Sequence, residues 1–429
     1  MAAQLPLELV IKILEEEYLL TLTGAAPIHD TLAACALVCR SWTPIARRLL
    51  YHSIYILSGN IRTILSRTLT SNTSIGCNIR ALEVHISSSP TSNGRSLSQT
   101  DFVRLLGSCR RLYELTVRVA YFRLTPVASK QLKALRLPVR AFHIHLSIEG
   151  TDVFYSFLSI WPSIRFLGIY GCAPGDPPRH RSPLTLYELR YEINVTLPIA
   201  SQLFSWLLPL NPDQRHIAPP TTTTITTTTA LRVLKVAQDL PVGVDATLVA
   251  YAPGIRSLTV WNLPPKHVMA RFVRLEELAL IHPPWNLAED ALPPTLEHVA
   301  FSTYWSIQPN ILENIRRLAA GALPRLRQIT LDEDAQRERA FAALRAACDV
   351  RGVALELRDF TAGNCKVKLV GPRSWSPAPH ARLKLSQEDY RLAVVAERFP
   401  RRATVANMNR MDAEVMDAVL HYMERGGIM

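Results

Sequence analysis

Four groups of residues in this 429-residue chain have the types and spacing to do chemistry. Cys35 and Cys39, in "TLAACALVCR", lie four apart on what reads as one helical face, where two thiols can share a metal or form a redox pair. Tetrahedral zinc needs two further ligands, and His29 and His52 fall outside finger spacings, so the pair reads instead as small apolar groups. His143 and His145, in "AFHIHLS", alternate along a predicted strand and point the same way. Imidazoles so placed can ligate a metal or exchange a proton, but a solvent-facing structural role fits them better. Acid runs at Glu276-Glu277 and Asp332-Glu333-Asp334 sit at predicted strand edges, where solvated charge is the ordinary state.

These groups do not combine into a catalytic constellation. The chain shows no G-x-S-x-G elbow, phosphate-cradling G-x-x-x-x-G-K-[ST] loop, H-E-x-x-H or post-strand G-x-G-x-x-G. We therefore expect no enzyme and no cofactor. The seven cysteines (35, 39, 77, 109, 172, 348 and 365) are odd in number and form no CxxC pair, so we expect reduced thiols, mostly buried.

The elements that must position any site come next. "LPLELVIKILEEEYLL" predicts an amphipathic helix, with Pro6 in its first turn and Leu9, Val10, Ile13 and Leu14 on one face. Asp30 is a candidate N-cap for "TLAACALVCR", and Ser41 for "SWTPIARRLLYH", where Pro44 occupies the first turn and Ile45 and Leu49 share a face. "SIYI" alternates as a strand.

Beyond residue 57 an L-x-x-L-x-L phrase returns ten times. It appears as "IRALEV" at 79, "LYELTV" at 112, "LKALRL" at 132, "IRFLGI" at 164 and "LYELRY" at 186. It continues as "LRVLKV" at 231, "IRSLTV" at 255, "LEELAL" at 275, "LEHVAF" at 296 and "LRQITL" at 326. Several starts are 20 to 24 residues apart. Each phrase predicts one strand with alternate residues inward, followed by a returning helix or turn, so that stacked neighbours bury the apolar row. The fold class is thus α/β, a short three-helix N-terminal module followed by an irregular leucine-rich-repeat solenoid of parallel strands with helices or turns. The predicted domains are residues 1–56, a repeat domain 57–371 with a Thr-rich loop near 218–230, and a Pro-rich linker with two C-terminal helices over 372–429.

Lys and Arg number 48 against 36 acids, a net charge of +12, of which +11 falls in residues 57–371. That sign favours acidic or phosphorylated partners. Basic residues are dispersed singly or in pairs, so nucleic-acid binding is the weaker reading. No apolar run is long enough to span a membrane, and the N-terminus lacks the pattern of a secretory signal, so a soluble protein in cytoplasm, nucleus or both is expected.

The opening Leu5-Pro6, the helix carrying Leu9 and Ile13, the phrase Leu37-Val38-Cys39-Arg40-Ser41-Trp42 and the apolar "LLYHSIYI" after it together resemble an F-box module over residues 5–56. Followed by the repeats, the chain resembles F-box proteins with leucine-rich repeats. The resemblance implies substrate reception for a cullin-RING ubiquitin ligase, with the F-box gripping a Skp-type adaptor on a cullin scaffold and the repeats holding a protein substrate. It makes Leu5, Pro6, Leu9, Ile13, Leu32, Leu37, Val38, Cys39 and Trp42 candidates for the adaptor interface or its supporting core. The residues between the inward positions of the phrases should line the exposed sheet face: Glu114, Thr116, Arg118, Arg136, Tyr170, Lys235, Ser257, Thr259, Trp261, Gln328 and Thr330. Of these, Arg118, Arg136, Tyr170, Lys235 and Trp261 are the candidate substrate contacts. The alternative is a repeat scaffold without a ligase role, in which the N-terminal helices only cap the array. Burial of Trp42 against the repeats favours the cap, and exposure favours docking.

Overall fold

The computed structural model describes residue 14 and residues 29–56, 68–69, 73–87, 97–180, 182, 184–194, 197–209, 231–236, 245–284, 292–301, 309–358 and 367–369. The predicted first helix apart from Leu14, the threonine tract, and the C-terminal linker and helices lie outside them.

The chain divides into two compact units, the first comprising residues 1–164, 168–178 and 362–366, the second residues 165–167, 179–361 and 367–429. The first opens with helix α1 (His29–Val38) and helix α2 (Thr43–Leu50). Pro44 lies in the first turn of α2 and Ile45, Ala46 and Leu49 are buried, as the spacing predicts. The predicted Ser41 cap does not form. Asp30 falls within α1, and Trp42 occupies the N-cap of α2 without a side-chain bond. Instead the Thr43 hydroxyl donates back to the carbonyls of Ala36 (2.8 Å) and Cys39 (3.0 Å), tying the two helices together.

Strands β1 (Ser53–Ile56), β2 (Ala81–Ser87), β3 (Glu114–Ala120), β4 (Ala141–Leu146) and β5 (Phe166–Cys172) follow in sequence order. Successive pairs from β1 to β4 are parallel. Register aligns Leu82, Leu115 and Phe142 in one row and Val84, Val117 and Ile144 in the next, all buried. Fully burying each such side chain stabilises the fold by about 1.5–3 kcal/mol. Helices Gln99–Ser108, Pro126–Ala134 and Val153–Ile160 return the chain between strands. Ser98 and Thr125 cap the first two by accepting from the amides of Asp101 and Ala128. Behind the sheet, Phe102 and Phe142 pack on Phe157, which stacks on Trp161.

The second unit continues with β6 (Glu188–Asn194), β7 (Val233–Val236), β8 (Ser257–Val260), β9 (Glu277–Leu280), β10 (His298–Phe301), β11 (Gln328–Asp332) and β12 (Ala354–Arg358), in parallel, with β13 (Val367–Leu369) antiparallel to β12. Leu189, Leu234, Leu258, Leu278, Val299, Ile329 and Leu355 form a buried row across it.

Nine of the ten phrases end in strands. The tenth, "LKALRL", is helical through Ala134 and turns afterwards. Leucines three apart fit a helical face as well as a strand phrase, and Thr125-Pro126 supplies a helix start upstream. The strand of that repeat is "AFHIHL", nine residues further on.

In eight of the ten phrases the second residue has a backbone role that spacing did not show. Its carbonyl accepts two successive amides from the next repeat. Arg80 receives Tyr113 and Glu114, Arg232 receives Arg256 and Ser257, and Glu276 receives Glu297 and His298. Where that residue is arginine, its side chain often reaches forward too. Arg80, Arg165 and Arg232 donate to the carbonyls of Arg111, Thr185 and Gly254, each just before a following phrase. Part of the basic surplus of residues 57–371 therefore fastens one repeat to the next.

Candidate functional site

The first candidate surface is the end of α1. Leu32 is buried and belongs to the core of the helical module. One turn later the chain turns outward. Leu37 is 86% exposed and Val38 61%, with Ala33 and Ala34 exposed on the preceding turn. Those four small or aliphatic side chains form a ridge along the outer side of the helix, since residues four apart stack on one face.

Cys39 follows in the open, which corrects the expectation of a buried thiol. The chain has left the helix there, and the Cys39 thiol and Ser41 hydroxyl sit 3.0 Å apart at the surface. That bond to Ser41 and the amides of Trp42 and Ser41 hold the thiol below its ordinary range. Of the six described cysteines only Cys109 and Cys348 are buried, and burial pushes each up to about 12. Trp42 itself is half-buried, so its exposure separates neither reading cleanly. Leu5, Pro6, Leu9 and Ile13 lie outside the described residues.

The second candidate is the outward sheet face of the first unit, and here the alternation held. Tyr55, Glu83, Thr116 and His143 lie in one register row, and His85, Arg118 and His145 in the next. Arg118 is exposed and its Nε donates to Glu83 Oε1 at 2.6 Å. His143 Nε2 lies 3.6 Å from Glu114 Oε1. Tyr170, from β5, stacks on His145 with ring centres 4.5 Å apart and planes 14° apart. Gly168 makes room for this, because a Cβ there would stand 2.3 Å from His143 Nδ1 and 2.8 Å from the Tyr170 ring. Burial and the nearby Arg118 charge both lower the His85 imidazole below its usual value. Where β3 and β4 end, an open groove of about 440 Å³ is lined by Tyr121, Arg123, Glu149 and Asp152 among others.

The remaining predicted contacts scatter. Arg136 is not on the sheet but on the turn after helix Pro126–Ala134, exposed and in a left-handed conformation (φ 48°). Lys235 is bound to Glu192 at 2.6 Å. Trp261 lies just beyond β8, half-buried and parallel to His282 with centroids 6.2 Å apart.

For Ser257, Gln328 and Thr330 the expected exposure fails, because all three are buried. They belong to a polar layer on β8 to β12. Gln328 Nε2 and the Thr330 hydroxyl both donate to Glu356 Oε2, at 2.9 and 3.2 Å. His298 Nε2 lies 3.2 Å from Thr330 Oγ1, and its Nδ1 3.8 Å from Glu277 Oε1. A hydroxyl, an imidazole and a carboxylate in that sequence mimic a hydrolytic relay, but with Thr330 wholly buried no substrate reaches it. The spacing of His143 and His145 signalled the open face; the signal for Tyr55, Glu83 and His85 was the same alternation in "SIYI" and "ALEVHIS".

Among the described residues no group of three or more His, Cys, Asp or Glu is placed to hold a metal ion, and no helix is long and apolar enough to cross a membrane.

Residues 2–57 match the F-box-like family model. No curated protein matches the chain. Among solved structures, a chain from the crystal structure of the Rad7 and Elc1 complex in yeast aligns with 76% of this chain and 88% of its own, at 11% identity and a TM-score of 0.27. Residues 2–57 thus match an F-box-like domain, and after them a largely parallel sheet with returning helices recurs along the described residues.

Proposed function

We propose that the chain is a substrate-recognition subunit of an SCF-type ubiquitin ligase, binding a Skp-type adaptor through residues 2–57 and a protein substrate through the repeats. The observation that carries this reading is the pairing of the F-box-like match with the aliphatic ridge on α1. Exposed aliphatic side chains gathered on one helix mark a partner surface, because leaving them in water forgoes about 25 cal/mol for each Å² of apolar area. Leu32, Ile45 and Leu49 build the core that supports it. The chain does no chemistry in this scheme; it brings an acceptor protein to a cullin-bound enzyme.

The test is co-purification of the full chain with a Skp-type adaptor and cullin. The double change Leu37→Asp, Val38→Asp should abolish capture while leaving the far-ultraviolet circular dichroism unchanged, since both side chains lie outside the core. Failure of the unaltered chain to capture the adaptor sinks the proposal.

One observation favours the scaffold reading. β1 directly follows the helical module and pairs in parallel with β2, and the His52 carbonyl accepts the amides of Arg80 and Ala81. The module thus supplies the first strand of the sheet, as a terminal cap does. A chain that fails to capture the adaptor yet loses its cooperative unfolding when residues 1–56 are removed is a capped scaffold.

A further inference from the structure

We propose that Arg110, Arg111, Lys130, Lys133 and Arg136 form a docking surface for a short acidic segment of a partner polypeptide, a run of Asp and Glu side chains. The surface lies on the edge of the first unit where β3 and β4 begin, apart from the ridge on α1 and from the outward sheet face.

The basic surplus is concentrated here. Residues 102–148 hold nine Lys and Arg against one acid, Glu114. Arg104 pairs with Asp101, Arg118 pairs with Glu83, and Arg123 lies past the opposite end of β3. The five named cations are all exposed, and among the described residues none of them forms an ion pair. Arg110 and Arg111 follow the helix Gln99–Ser108. Lys130 and Lys133 stand one turn apart on the helix Pro126–Ala134, and Arg136 follows it. The two turns are neighbours, because the Leu135 side chain packs at the end of the first helix, where a Cβ on Gly107 would lie 3.6 Å from its Cδ2. The Tyr113 carbonyl joins the same two repeats by accepting the amides of Arg140 and Ala141.

Arg136 adds an independent observation. Its φ of 48° is the left-handed conformation that often follows a helix cap, a place glycine ordinarily fills. The helix dipole favours a cation in the last turn, which accounts for Lys133 but not for a left-handed arginine beyond the cap. An arginine kept there against its backbone preference points to a ligand for its guanidinium.

The extent of the patch fixes the partner's chemistry. In the preceding repeat the residues matching Arg110 and Arg111 are Cys77 and Asn78, and in the repeat that starts β5 they are Pro162 and Ser163. The cations thus cover two adjacent repeats, whose strands stand about 4.8 Å apart. Duplex nucleic acid carries its charge along a much longer track. Cations spread over two turns and one helix face match several single carboxylates better than one phosphoryl dianion, which needs donors converging on a point. Arginine also takes a carboxylate in a bidentate fork.

The experiment follows the fluorescence anisotropy of a labelled octaglutamate peptide titrated with the full chain, with an octaglutamine peptide and a DNA duplex of the same charge as comparisons. Saturable binding of the glutamate peptide, weakened by salt, is expected, with none for the glutamine peptide and less for the duplex. The double change Arg111→Glu, Arg136→Glu should weaken binding about tenfold or more. Arg325→Glu with Arg345→Glu, both exposed in the second unit, removes the same net charge and should leave binding within about twofold. Arg136→Gly should weaken binding while the urea midpoint holds or rises, since glycine suits the left-handed turn; a purely structural role predicts no loss of binding. The idea fails if the glutamine peptide binds as well, if the duplex binds more tightly than the peptide, or if the two double changes weaken binding equally. Adaptor capture is measured on the Arg111→Glu, Arg136→Glu chain and should be unchanged, so loss of this surface and loss of the ligase role are read separately.

Discussion

The outward faces of β2 to β4 and of β9 to β12 both carry polar side chains on alternate residues of parallel strands, and they end in opposite states. On the first, Glu83, His85, Thr116, Arg118, His143 and His145 are half-buried or exposed, and Arg118 keeps free donors. On the second, Glu277, His298, Gln328, Thr330 and Glu356 are buried, and their polar atoms converge on one another across the register rows. Small residues mark the difference. Ala279 and Ala300 lie in the Thr330 and Glu356 row, where the first unit carries Glu83, Thr116 and His143. A polar residue at an outward position is therefore no evidence of an open surface. When its partners are neighbours in the sheet and the layer is buried, burial costs little and the network fixes register; when the layer is open to solvent, its side chains remain within reach of a ligand.

This contrast can be broken most sharply at Glu356. Replacing it with alanine removes the acceptor shared by Gln328 and Thr330 and leaves buried donors unsatisfied, so urea unfolding should show a loss of roughly 3 kcal/mol. Next, Thr330→Val deletes one hydroxyl from the same layer. A loss of about 1 kcal/mol is expected in the same measurement, and an unchanged midpoint means that the layer contributes nothing. On the open face, Arg118→Gln removes only a solvent-screened pair with Glu83, and stability should stay within about 0.5 kcal/mol. A larger loss there would erase the distinction between the two faces.

The smallest effect concerns pH. Burial and the Arg118 charge depress the folded His85 value below the 6.5 of the unfolded chain, so protons bind the unfolded state more readily. Any contribution from His85 is absent at high pH, and stability falls as pH drops through 6.5 toward the depressed value. Comparing urea midpoints at pH 7.5 and 5.5, His85→Gln should show a slightly shallower decline than the unaltered chain.

Much of the strand framework was legible because period-2 alternation is a local property. Leu115 and Val117 face inward whatever surrounds them, and nine phrases translate directly into strands. "LKALRL" misled because leucines three apart satisfy both periods, and a capping threonine with a following proline decided for helix. Ser41 was a sound N-cap candidate by type, yet its hydroxyl meets the Cys39 thiol and Thr43 ties the helices instead. Leu32 and Leu37 look equivalent in "TLAACALVCR", but one is core and the other almost fully exposed. An apolar helix without a polar face does not say which side is covered.

By itself the sequence determined where most strands recur, which of their residues face inward, and that residues 2–57 match the F-box-like family model. Tertiary structure alone decided which outward face is sealed, which arginines are committed to backbone carbonyls, and which leucines of α1 reach the surface. The physical reason is that direction along a strand is set by the residue's own backbone, whereas burial depends on what distant parts of the chain bring against it.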